Sequence, residues 1–302
     1  MEGLVSALVV DGGIVRIDRV PLVIPRGHVL VKTLWARWGS IDEVIRRGLF
    51  PVDMPVVAGY TGVGVVVETG IGSDTILAGK PVSPVRVSEN YMPPVIGHGF
   101  LSPYTVAPGD HLAIVQRDPS YVILLDSALA CETLEALENK SAHSVLVLGS
   151  GIYGLLAAYV LHSAGIEYAV LVRKESASYS VIRVIQELGL ATTQSIDSLD
   201  SDAVIAASLD TLLIEEAVKK TETRVLVLHP LIAYRGIQVR PLARDLEVVG
   251  VAGGKEFAGC AIQLVKKAWR ILYNYMSFVK GLVPPPSEGL PALGAVYEVS
   301  SS

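Results

Sequence analysis

The sequence predicts an α/β protein of two domains, a compact barrel-like β domain followed by a parallel sheet covered by helices on both faces. Three observations predict it. From residue 4 to about 118, short β-rich runs are divided by Gly and Pro. From about residue 120, strand-like runs alternate with helical ones. A glycine-spaced turn, Gly149-x-Gly151-x-x-Gly154, stands between a strand and a helix of that second part.

Taken in order, the first part holds the runs "LVSALVV", "GIVRID", "HVLVKTLW", "GVGVVVE", "KPVSPVRV" and "YTVAPGDHLAIV". The stretch "SIDEVIRRG" interrupts them as a short amphipathic helix, with Ser40 as the expected N-cap and Gly48 ending it. Asp42 is expected to cap or brace that helix, and Arg46 to pair with it one turn on. The second part reads as helix "SALACETLEALENK", strand "SVLVLG", helix "GLLAAYVLHSAG", strand "YAVLV", helix "YSVIRVIQELG", strand "DAVIAA", helix "LIEEAVKK", strand "RVLVLHP", strand "LEVVGVA" and one long helix, "FAGCAIQLVKKAWRILYNYMSFVKG". The Pro-rich "LVPPPSEGLPAL" cannot be helix and reads as an extended return toward the first domain, closed by the strand "GAVYEV". The expected boundaries are residues 1–120, 121–282 and 283–302.

Hydrophobic residues make up 51% of the 302 and the mean hydropathy is +0.48. The apolar runs are short, Gly-punctuated and bounded by charges, far from the roughly 18 residues a membrane span needs. The richness in Val, Ile, Leu and Ala suits strands buried on both faces. A net charge of −5 and a pI near 5.7 offer no basic face for nucleic acid. Two cysteines, Cys131 and Cys260, cannot build a disulfide framework or a four-cysteine zinc lobe, which fits a reducing, cytoplasmic setting. Three Asn and five Gln are few, a scarcity of thermolabile amides that hints at a thermophile. No P-loop and no G-x-S-x-G elbow occurs, which leaves kinase-like and serine-hydrolase chemistry without its parts.

The turn Gly149-Ser150-Gly151-Ile152-Tyr153-Gly154 has the order that dinucleotide binding requires of a Rossmann domain. One Gly makes the tight turn, the next lets backbone approach a pyrophosphate, and the last lets helix pack on strand. The helix N-terminus then offers unpaired N–H groups and a positive dipole to phosphate. An NAD site places an acid at the end of the following strand. Here "YAVLV" is followed by Arg173 and Lys174, with Ser176 close by, so NADP(H) is preferred over NAD(H).

At this point the chain resembles the medium-chain dehydrogenase/reductase superfamily, the alcohol dehydrogenase and quinone oxidoreductase relatives. "GFLSPYTVAPGDHLAIV", "GSIDEVIRRGLFP" and "LEVVGVAGG" carry the resemblance, together with the glycine turn. It implies a GroES-like catalytic domain joined to a Rossmann domain, an active site in the cleft between them, a small-molecule substrate and a homodimer or homotetramer. Zinc members carry a Cys where Gly39 stands and a His-Glu pair where Tyr60-Thr61 stand, so the resemblance implies a zinc-free member with no metal ligands. Quinone oxidoreductases carry an Asn at the place of Gly39, another departure.

The resemblance puts the Tyr60 phenol at the cleft mouth as the first catalytic candidate, with Thr61, Ser40 and Asp42 beside it; packed aromatic is the equal alternative for Tyr60. Cys131 and Glu132 read as ligand relics or ordinary helix residues, and His98 as a turn residue with a catalytic alternative. The expected activity is zinc-independent, NADP(H)-dependent hydride transfer to or from a small carbonyl, enone or quinone-like substrate. Alternatives are a dinucleotide-binding sensor or assembly subunit without catalysis, and a zinc alcohol dehydrogenase with displaced ligands.

Overall fold

The computed structural model describes residues 3–172, 178–235, 245–286 and 293–300. Two compact units emerge: Met1–Leu125 with Gly254–Ala258 and Met276–Ser302, and Asp126–Gly253 with Gly259–Tyr275.

The first unit begins with a hairpin of β1 (Gly3–Asp11) and β2 (Ile14–Leu22). Its two-residue turn is Gly12-Gly13, both at positive φ, the conformation that lets the strands twist together. Next come β3 (His28–Trp38), helix α1 (Ser40–Arg46), β4 (Val56–Val57), β5 (Thr61–Thr69), β6 (Pro81–Pro84), β7 (Tyr104–Pro108) and β8 (Leu112–Ile114). β4 pairs with β1 to complete a three-stranded sheet. β3, β5, β6 and β8 lie side by side, and β7 pairs with β3. The inward-facing side chains Val29, Val31, Val66, Val82, Ala107 and Leu112 form one core, each buried Val or Leu contributing roughly 1.5–3 kcal/mol over leaving it in water.

The second unit opens with α2 (Leu124–Asn139) and alternates β9 (Ser144–Leu148), α3 (Ile152–Ala164), β10 (Glu167–Leu171), α4 (Tyr179–Glu187), β11 (Thr192–Thr193), β12 (Ala203–Ala206), α5 (Thr211–Lys220), β13 (Val225–Leu228), α6 (Pro230–Arg235) and β14 (Glu247–Gly250). The sheet order is β11-β10-β9-β12-β13-β14, every pair parallel. The strand order reverses between β9 and β12, which makes that point the crevice where this architecture takes ligands. β9, β12 and β13 are buried along their whole length, as a sheet covered on both faces requires.

The long C-terminal helix expected over residues 257–281 is shorter than its apolar pattern suggested. α7 spans Ala258–Leu272, a single tight turn covers Tyr273–Tyr275, and Ser277–Lys280 forms β15. β15 pairs in parallel with β16 (Ala295–Glu298), and β16 adds antiparallel to β3. The β-branched and aromatic pair Phe278-Val279 satisfies its backbone in that sheet, and this tertiary pairing overrides helix propensity.

The two cysteines are not the separate reduced thiols the sequence suggested. Cys131 of α2 and Cys260 of α7 are bonded, with Cα atoms 6.2 Å apart. That spacing falls within the window a disulfide bridges without moving backbone.

Candidate active site

Gly149 ends β9 with φ +116, a backbone conformation open to glycine. A Cβ there would lie 2.8 Å from the Ala207 carbonyl, so the loop leaving β12 passes directly over it. A Cβ on Gly154 would lie 2.1 Å from the Gly149 carbonyl oxygen, which seats the first turn of α3 against the end of β9. Gly151 is the N-cap of α3, and its carbonyl accepts the Leu155 N–H at 2.9 Å. Ser150 and Gly151 remain half-exposed, and Ile152 is buried. A bare backbone at the sheet's reversal point, backed by a helix N-terminus, fits a dinucleotide pyrophosphate.

Tyr153 does a different job from the rest of that turn. Its phenol meets Thr133 Oγ1 at 2.8 Å, and Thr133 Oγ1 itself donates to the Leu129 carbonyl. The phenol proton therefore goes to Thr133, which makes Tyr153 a strut between α3 and α2; burial pushes its pKa up. The His229 ring packs at 5.0 Å from it. Arg173, Lys174 and Ser176, on which the NADP(H) preference was read, lie outside the described residues.

In the first unit, Asp42 gathers the other candidates. Its Oδ2 accepts the Gly39 N–H at 2.9 Å and its Oδ1 accepts the Gly59 N–H at 2.7 Å, with no exposed surface of its own. Burial pushes its carboxyl up to about 6, while the hydrogen bonds from Gly39 and Gly59 and the charge of Arg37 pull the other way. The Tyr297 phenol, also buried, is pushed up to about 12 by burial and by the Asp42 charge. Gly59 has φ +101, and a Cβ on it would lie 2.6 Å from the Leu101 nitrogen, so no side chain fits.

Several expectations change here. The N-cap of α1 is Gly39, and Ser40 is an exposed first helical residue, because the Asp42 carboxylate does the capping from within the helix. Arg46 pairs with Glu43, not Asp42: its Nε donates to Glu43 Oε2 at 2.8 Å, and Arg47 Nε to Glu43 Oε1 at 2.6 Å. Asp42 faces inward and is out of reach of that surface pair. Tyr60 has no exposed surface. Thr61 is equally buried, and its Oγ1 has no hydrogen-bond partner among the described residues. Glu132 lies in α2, and its Oε2 accepts the N–H groups of Ala252 and Gly253 at 2.8 and 2.6 Å. His98 is partly buried, and burial lowers its pKa.

Arg37 went unnoticed in the sequence. It is 3% exposed, and a Cβ built on Gly39 would lie 3.6 Å from its Nε. The only sequence signal was a cation between Ala36 and Trp38 at the end of the strand "HVLVKTLWARW".

Residues 25–117 match the alcohol dehydrogenase GroES-like domain family. Among solved structures, glucose dehydrogenase of Haloferax mediterranei in complex with NADP, Zn and gluconolactone is 17% identical, with a TM-score of 0.73 over 98% of this chain and 100% of that one. A zinc-binding dehydrogenase of Sinorhizobium meliloti 1021 bound to NADP is 18% identical, with a TM-score of 0.71 over 98% and 99%. The 2R,3R-butanediol dehydrogenase of Bacillus subtilis is 18% identical, with a TM-score of 0.66 over 93% of each chain. The chain shares the fold of these dehydrogenases. No protein of curated function matches it by sequence.

Zinc is present in the Haloferax complex, and this chain offers few donors for it. Gly39 brings no side chain, Thr61 and Tyr60 bring hydroxyls, and Cys131 is tied in its disulfide. Among the described residues no three His, Cys, Asp or Glu come together as a metal-holding group. The donors do not fit a zinc ion, which takes three protein ligands of imidazole, thiolate or carboxylate type. Among the described residues no helix is long and apolar enough to cross a membrane.

Proposed function

We propose that this protein is an NADP(H)-dependent oxidoreductase that works without zinc on a small carbonyl, enone or quinone-like substrate. The observation that carries the reading is the turn Gly149 to Gly154, whose two close backbone approaches at the reversal between β9 and β12 a Cβ would block. NADP in the Haloferax and Sinorhizobium neighbours supports the choice of cofactor. The phosphates would be held by backbone N–H groups of α3's first turn, and the 2′-phosphate by Arg173, Lys174 and Ser176, which follow β10 in sequence. The bound nicotinamide supplies the hydride chemistry.

The chain's own contribution is a polar corner in the first unit. Asp42 holds the Gly39 and Gly59 turns together, and Thr61 offers a buried hydroxyl at the position opposite Arg37 in the register of β3 and β5. A substrate oxygen that gains electron density on reduction is stabilised by such donors. Tyr60 serves here through its backbone and packing, with its phenol as a secondary candidate. The working state is taken to be a homodimer or homotetramer, to be read by light scattering.

A second reading has one observation in its favour: Tyr60 and Thr61 have no exposed surface, as in a binding protein without catalysis. The experiment that separates the two is a fluorescence titration with NADPH and, separately, NADH, followed by turnover on a panel of dicarbonyls, quinones and enones. NADPH binding that weakens about tenfold or more in Arg173→Asp, with turnover, supports the reductase. NADPH binding with no turnover on any panel member supports the sensor, and no binding of either nucleotide defeats both. Metal analysis of protein purified without chelator tests the zinc-free part, and near one zinc per chain overturns it.

A further inference from the structure

We infer that the Arg37 guanidinium is the resident cation of the corner between Gly39 and Thr61, closing that place to a divalent metal and leaving it to an oxygen ligand of carbonyl or carboxylate type. The inference deepens the zinc-free reading above and rests on it for its link to catalysis.

The register puts the charge there. Arg37 of β3 lies directly opposite Thr61 of β5, and residues opposite one another in an antiparallel pair project to the same face. Gly39 follows two residues later with extended backbone, φ −123 and ψ −171, so a side chain at position 39 would project to that face as well. The place such a side chain would occupy is already flanked by the guanidinium, with Nε at 3.6 Å and Nη2 at 3.8 Å from an added Cβ. Position 60, the third residue of the corner, is carried by the Gly59 turn that Asp42 pins.

Chemistry fixes the sign. A guanidinium keeps its proton at any working pH, so this positive charge cannot be discharged to admit another. Arg37 is 3% exposed and β16 covers it on the other side, with Val296 opposite it, so water screens the charge little. Asp42, wholly buried, feels the Arg37 cation. A dication beside a fixed cation would meet strong repulsion at this burial. Oxygen meets the opposite situation, because the Thr61 hydroxyl on the same face is buried with no partner among the described residues. A hydroxyl on the same face as a fixed positive charge suits an oxygen acceptor.

The test reads metal binding, so it does not depend on turnover. Cobalt(II) is titrated by its visible absorption into the full-length protein carrying Gly39→Cys, Tyr60→His and Thr61→Glu, and into the same protein with Arg37→Met added. The inference expects cobalt to bind the fourfold variant at least about 100-fold more tightly than the threefold one. Equal affinities, or tighter binding with Arg37 present, overturn it. Should these variants not fold, Arg37→Gln and Arg37→Lys in the otherwise native protein replace them, read by carbon-13 NMR of the Asp42 carboxyl. The Gln variant is expected to move its titration midpoint upward and the Lys variant to leave it nearly unchanged; identical midpoints in all three proteins overturn the inference. Failure of cobalt exclusion with intact NADPH turnover would sink the inference alone, and loss of NADPH binding would sink the functional reading alone.

Discussion

Cys131 on α2 and Cys260 on α7 are joined across 129 residues of sequence, so one covalent bond closes almost the whole second unit into a loop. In the chain-entropy account, a loop of that size restricts the unfolded chain by an amount worth about 5 kcal/mol, and native disulfides commonly deliver about 2–5. Cys260 is exposed, which gives a reductant access. Thermal melts with and without dithiothreitol, and of a Cys131→Ala/Cys260→Ala protein, are expected to show a large downward shift in both cases. An unchanged melting temperature under reducing conditions would show that the bond carries no stability.

Asp42 should leave a mark on the pH dependence of stability. Its folded carboxyl is raised from 3.8 to about 6, so between about pH 4 and pH 6 the folded chain holds a proton that the unfolded chain has released. Stability contributed by this residue is therefore greatest at low pH, falls as pH rises through that window, and is flat above it. Two pH units correspond to roughly 3 kcal/mol. The difference in unfolding free energy between wild type and Asp42→Asn, measured by urea denaturation at several pH values, is expected to change across this window and nowhere else.

Gly154 is the sharpest test of the nucleotide turn. A Val there would press against the Gly149 carbonyl, lifting α3 off β9 at a cost of about 1–3 kcal/mol. Isothermal titration is expected to show NADPH affinity lost by about tenfold or more, with the fold retained by circular dichroism. Undiminished affinity would place the nucleotide elsewhere.

Glu132→Ala removes the carboxylate that receives the Ala252 and Gly253 N–H groups. Charged hydrogen bonds of this kind are worth about 1.5–3 kcal/mol each. Hydrogen exchange at those two amides is expected to speed up by at least tenfold in the variant while β9 and β12 stay protected.

The two-part architecture was legible because its signals are local. Glycine spacing after "SVLVLG" and the change from period-two runs to alternating strands and helices need no knowledge of distant residues. The site was legible only in part. Sequence spacing offered Arg46 two acidic neighbours within reach, and burial chose Glu43 over Asp42. Arg37 acquires its meaning from the register of β3 against β5, a tertiary relation. Residues 273–280 carried a helical pattern, yet β16 arrives from farther along the chain to claim part of it as strand. The Cys131–Cys260 bond likewise depends on helices brought together by the fold.

That late strand sets an order of assembly. β16 is the partner of β3 at Trp35 to Trp38, beside the Arg37 corner, and it lies beyond the entire second unit in the chain. On a ribosome, the second unit is therefore fully synthesised while β3 still presents an unpaired edge. The charged corner is sealed last, only after Glu298 has left the exit tunnel, so nascent chains stalled shortly before that point would carry a folded second unit and an open, aggregation-prone first sheet.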